Sequence, residues 1–261
     1  MLSKLLKNDL RKNMRWLWIL FVGTIVVAGI TRGCKEIGQK LAFFNILGIF
    51  FDTVFYSLLI NTLIQPFLRN FINFSKSLYG DESYLTHTLP VTKNQIINSK
   101  FLTAIIEMFL GFVSVVISLL IMFASPIMWT NLEFILSSLI VGEFSVFVII
   151  TIFVLLVIVE FLMFNSIIYF SIVMGYKARE KKVLRSFLYT ALMSFVSIMV
   201  LSVFIIVVLL INGVNLSSAT LVLSYSAFMI VIITGIVVYL AITILFYFLT
   251  KKEFNKGVNV D

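Results

Sequence analysis

Four acidic residues stand inside long apolar runs: Asp52, Glu107, Glu143 and Glu160. A carboxyl group at membrane depth is costly, so such residues face a bundle interior or water and often mark ion or substrate pathways. One use of these four would be an acidic path for cations or cationic, amphipathic cargo. The other is structural: protonated acids hydrogen-bonded to neighbours such as Asn61 and Asn165. The residue types alone leave both open. The single histidine, His87, has no second histidine or cysteine cluster near it, which leaves a zinc site or a Cys–His dyad without ligands. None of the 12 glycines has the context of a G-x-x-x-x-G-K-[ST] phosphate loop. The expectation is a chain with no catalytic residue, no metal site and no directly bound cofactor.

The elements that carry these acids must be membrane helices. Hydrophobic residues make up 61% of the chain, against roughly 45–50% in soluble domains, and only 12% are charged. No soluble core of this size buries that excess, so lipid is the solvent for most of the surface. The net charge of +8 does not point to nucleic acid, because the basic residues sit in short segments between apolar runs. They look like topology signals and contacts for anionic lipid. Cys34 is the only cysteine, so an internal disulfide is impossible. The N-terminus is basic and then apolar, as in a signal peptide, but an uncleaved first span is expected because no clean cleavage site follows.

About 20 apolar residues cross a bilayer. By that measure the spans fall at about 16–30, 41–64, 101–124, 142–174, 186–211 and 221–250, the first of them short. Residues 126–141 are expected to form a short external helix or re-entrant piece. Residues 1–15 precede the spans as an amphipathic helix in the membrane interface, with Leu2, Leu6, Leu10 and Met14 on one face. Lys and Arg fix the orientation: with these spans, seventeen of the 20 lie on the side of both termini and of segments 65–100 and 176–185. The other side has Arg32, Lys35 and Lys40. The positive-inside rule then puts both termini in the cytoplasm. The expected fold is all-α: a single polytopic transmembrane domain over residues 1–261, without a sequence repeat.

The segment from 65 to 100 is the most informative. Phe67, Phe71, Phe74 and Leu78 form one apolar stripe that continues the second helix past the membrane, and Gly80 ends it. Thr92 and Gln95 form a T-x-x-Q capping box, with Val91 and Ile96 at the staple positions, so a new helix starts there. Pro90 keeps the preceding residue out of helix. A short ordered element thus lies between two spans.

The stretch from Tyr79 to Lys93 (YGDESYLTHTLPVTK), followed by Ser99-Lys100, resembles the second-to-third-span loop of permease subunits of type II ATP-binding-cassette exporters in Gram-positive bacteria. The shared features are an acidic pair, Tyr-Leu, a Thr-rich step, Leu-Pro-Val and Ser-Lys. The likeness covers about 22 residues; over the rest of the chain it extends only to span number and topology. In that family the loop is a coupling helix seated in a groove of a separate ATPase. The resemblance therefore implies an ATPase-coupling role for Asp81, Glu82, Tyr84, Leu85, His87 and Leu89. It also implies ATP used through a partner subunit, a second permease copy or paralogue, and a place in the bacterial cell membrane. Re-entrant external helices, often found between the last two spans of that family, have little room between Asn212 and Thr220. A secondary transporter coupled through the intramembrane acids, and a non-transporting immunity or scaffold protein, are the alternatives. A hydrophobic or amphipathic substrate, a peptide first among them, suits the acids.

Overall fold

The computed structural model describes residues 2–80, 82–88, 90–123, 130, 134, 146–178, 180–212 and 225–256. The protein is all-helical, and among the described residues six helices are long and apolar enough to cross a membrane. The long helices are α1 (Leu2–Gly38), α2 (Ala42–Tyr79), α4 (Lys93–Phe123), α5 (Val146–Gly175), α6 (Lys182–Ile211) and α7 (Tyr225–Asn255), with the short α3 (Ser83–Thr88) between α2 and α4. Of residues 126–141, only Thr130 and Phe134 are described, both helical. Contacts group the chain into two compact units, Met1–Trp129 and Thr130–Asp261, where composition suggests one domain.

Three long helices and the short α3 make the first unit. The amphipathic N-terminal segment is helical, as expected, but it is not a separate interfacial helix. It runs without interruption into the first span as the 37-residue α1, about 55 Å long. A hydrocarbon core is about 30 Å thick, and α2, at 38 residues, overshoots it in the same way. The two meet at the tight 39–41 connection, so the excess length of both lies at the opposite end, beside the start of α4. There the apolar stripe of α1 finds protein instead of lipid: Met14, Leu17 and Phe21 are buried with Leu10, Leu20 and Leu110. Near the connection, Ala28, Phe55 and Met122 form a second cluster.

Lipid tails are as apolar as leucine, so membrane helices associate through small and hydrogen-bonding residues. The hydroxyls of Thr24 and Thr62 lie 2.8 Å apart between α1 and α2. Ser114 on α4 donates to the Phe21 carbonyl at 2.9 Å. Beside them Gly111 lets α4 approach the Phe21 ring and the Thr62 carbonyl. Gly29 and Gly33, spaced as in a packing motif, face open space.

The second unit packs α5 against α6 and α7. Its core is Val159, Met163, Ile167 and Phe170 of α5 with Tyr239 and Phe246 of α7. The end of α5 passes so close to the start of α6 that a Cβ on Gly175 would lie 2.5 Å from the Ser186 nitrogen. Lys177, just past α5, pairs with Glu253 near the end of α7.

Candidate functional site

The overhanging ends of α1, α2 and α4 support α3. On α2 the stripe foreseen from Phe67 to Leu78 is present, with Phe74 and Leu78 fully buried and Phe67 and Phe71 half-buried. Gly80 closes the helix, its N–H donating to the Lys76 carbonyl at 3.2 Å. The chain then turns: the Ser83 N–H donates to the Gly80 carbonyl at 2.9 Å, and the Glu82 carbonyl accepts from the Thr86 N–H at 3.1 Å. Glu82 is thus the residue that caps α3 at its start. The capping box forms as its sequence predicts. The Gln95 side chain accepts from the Thr92 N–H at 3.1 Å, and the Thr92 hydroxyl accepts from the Gln95 N–H at 3.3 Å.

Residues of α1 hold this element on both sides. Lys12 Nζ reaches both carboxylate oxygens of Glu82 at 2.6 Å. One turn away, Asp9 accepts from the Ser99 hydroxyl at 2.9 Å and pairs with Lys100 at 2.7 Å. Asn73 on α2 donates to the Asn13 side chain. One helix therefore contacts the end of α2, the start of α3 and the start of α4. Asp9 and Lys100 are largely buried, whereas Lys12 and Glu82 are about half-exposed. Their pairing fixes α3 without enclosing it.

Of the residues assigned to coupling, Glu82 is tied to α1, and Tyr84 projects from α3 at 76% exposure. Leu85 and His87 lie within the α3 backbone. Their side chains, and the residues Asp81 and Leu89, are outside what is described. A six-residue helix with an uncovered tyrosine, packed on α2 and tied to α1 through Glu82, can take up a partner's motion and pass it to two membrane crossings together.

Within the first unit, Asp52 and Glu107 do not converge. Asp52 pairs with Lys35 of α1 at 2.7 Å, although the apolar rule ends the first span at Ile30. Glu107 is completely buried on α4, with Asn13 beside it, and neither carboxylate oxygen has a hydrogen bond of standard geometry. Lys35 and Asn13 are 22 positions apart on α1, about 33 Å of helix, so Asp52 and Glu107 belong to opposite ends of the first unit. Glu160 is exposed on α5 in the second unit, and Glu143 is outside the described residues. Asn61 bonds to Ser57 of its own helix. Among the described residues no group of His, Cys, Asp and Glu could hold a metal ion.

Sequence reasoning missed Asp9, Lys12 and Asn13. One signal was available: Asp9 is the single acid among five basic residues in the first fifteen. Its partners are some 90 positions away, which no local pattern reveals. Compared with known proteins, the chain matches no family model, no curated protein and no solved structure.

Proposed function

We propose that this chain is the membrane-spanning permease subunit of an ATP-driven exporter of the type II ATP-binding-cassette kind, and that α3 is where a separate ATPase docks. The observation that carries the reading is the exposed Tyr84 on a short helix held between two membrane crossings. The family-like sequence from Tyr79 to Lys100 supports it, and so does the tie of both Ser99 and Lys100 to Asp9. The chain supplies the pathway and the partner supplies ATP hydrolysis, so this subunit is not itself an enzyme. A second permease copy or paralogue completes the assembly in the bacterial cell membrane, with α3 and both termini in the cytoplasm; the Lys/Arg distribution supports that orientation. The cargo is a hydrophobic or amphipathic molecule, with a peptide favoured.

Purification from the native host in mild detergent tests this. An ATPase subunit should accompany the wild-type chain, and Tyr84→Ala with Leu85→Ala should insert normally but lose it, since buried aromatic and aliphatic anchors dominate such contacts. No accompanying ATPase, together with normal transport by the double variant, would remove the exporter reading. Glu107 favours a second reading, secondary transport coupled to protons, because its carboxyl is completely buried without an ion-pair partner among the described residues. Transport that persists without ATP and stops in Glu107→Gln would select it.

A further inference from the structure

Between the overhanging parts of α1 and α2 lies an open cleft of about 540 Å³, lined by Arg11, Lys12, Arg15, Trp16, Arg69 and Asn73 among others. We propose that this cleft binds the phosphate headgroup of an anionic membrane lipid. The inference does not depend on the exporter reading, only on the helices crossing a membrane.

Helical spacing builds the cleft. Arg11 and Arg15 are four apart on α1, and Arg69 and Asn73 are four apart on α2, so each pair shares one face of its helix. The faces meet with four cations around one space, and among the described residues no carboxylate lines it. Lys12 is already balanced by Glu82. Arg11, Arg15 and Arg69 form no ion pair among the described residues. Arg69 is held in place by the Trp16 ring, its guanidinium carbon 5.6 Å from the centroid, while its Nε is buried without a hydrogen bond. Three guanidinium groups facing one space repel each other until an anion enters, and their planar forks match phosphate oxygens.

Depth selects lipid as the source of that phosphate. Trp16 opens the apolar run of α1, and Arg69 follows shortly after the apolar run of α2 closes at Ile64. Tryptophan concentrates at headgroup level. Trp16 is 59% exposed, and Trp18, Ile19, Leu68 and Ile72 nearby are also open, giving acyl chains an apolar surface beside the cleft. A zwitterionic headgroup brings a cation of its own into a cationic cleft and is disfavoured.

The test is native mass spectrometry of the purified full chain with phosphatidylglycerol or phosphatidylcholine of equal chain length. The wild type should retain phosphatidylglycerol at least about tenfold better. The variant Arg11→Gln/Arg15→Gln/Arg69→Gln should lose that preference. Lys4→Gln/Lys7→Gln/Lys93→Gln removes the same charge from exposed positions of the same unit and should keep it. Equal loss in both variants, or equal retention of the two lipids by the wild type, overturns the proposal. Displacement of phosphatidylglycerol by inorganic phosphate also overturns it, in favour of a soluble anion. If the triple variant does not fold, Arg69→Lys serves, because it keeps the charge and loses the fork. A drop of about threefold in preference is then expected, and no change overturns the assignment.

Discussion

Lys12 Nζ lies 2.6 Å from the Glu82 carboxylate, so the first helix of the chain grips the turn into α3 across 70 positions of sequence. Both side chains are nearly half-exposed, and a pair of that kind contributes about 0–1 kcal/mol. Its importance is positional. Lys12→Glu should therefore leave the melting temperature in detergent almost unchanged, yet make the 80–92 segment more sensitive to limited proteolysis. The exchange Lys12→Glu/Glu82→Lys should restore protection. Protection that follows neither change would mean that α3 is held by its contacts with α2 alone.

Asp9 should behave differently because its partners are enclosed. Asp9 and Lys100 are only 15% and 13% exposed, and Asp9 also accepts from Ser99. Asp9→Ala leaves a partly buried ammonium and hydroxyl without their acceptor, a cost of about 1–3 kcal/mol. A clear fall in the detergent melting temperature is expected, larger than for Lys12→Ala. Equal effects of the two substitutions would contradict the difference in burial.

Glycines separate a required close approach from an idle motif. A Cβ on Gly175 would lie 2.5 Å from the Ser186 nitrogen and 2.6 Å from its Cα, both backbone atoms that cannot rotate away. Gly175→Ala should cost about 1–3 kcal/mol, and Ser186→Ala should not rescue it. Gly29→Ala and Gly33→Ala meet nothing within 4 Å and should be neutral or stabilising, by up to about 1 kcal/mol each. A loss of oligomer on gel filtration in the latter pair would instead assign that face to a second chain.

What was legible in the sequence was local. The Thr92–Gln95 box spans four residues and is complete in itself, and Gly80 ends α2 where the apolar stripe ends. The number of crossings follows from the lengths of the apolar runs. The extent of α1 was obscured because hydropathy separates its basic and apolar halves, although no Pro or Gly interrupts residues 1–22. Ending the first span at Ile30 placed Lys35 in a loop and made Asp52 look unpaired. The pairing of Asp9 with Lys100 and the emptiness around Gly29 depend on which helix faces which, information that is tertiary.

The topology can be checked at position 180, which lies between α5 and α6. Its neighbourhood holds five Lys/Arg within residues 176–185, so the positive-inside rule predicts a cytoplasmic position. Glu180→Cys in a Cys34→Ser background should resist an impermeant maleimide added to intact cells and react after permeabilisation. Reaction in intact cells would overturn the six-crossing topology with cytoplasmic ends.

Asp52 and Glu107, the two acids within the apolar runs of the first unit, should respond to amide substitution in opposite ways. Asp52 has a partner: Lys35 Nζ is 2.7 Å away, and the Asp52 side chain is 23% exposed. Asp52→Asn keeps the shape but leaves an ammonium facing a neutral amide, so stability should fall. Lys35→Ala/Asp52→Asn should recover part of the loss, because removing both members spares an uncompensated charge. Glu107 has no ion-pair partner to lose among the described residues; the neutral side chain of Asn13 stands beside it. Glu107 is fully buried, and neither oxygen has a hydrogen bond of standard geometry, so Glu107→Gln removes a group that burial penalises and replaces it with one of the same shape that can still bond to Asn13. That variant should be as stable as the wild type or more so. Melting temperatures in one detergent decide both cases. A destabilised Glu107→Gln would show that the carboxylate's contact with Asn13 has a bonding role the amide cannot replace. A stable Glu107→Gln that no longer transports would make Glu107 a working group of the transport cycle.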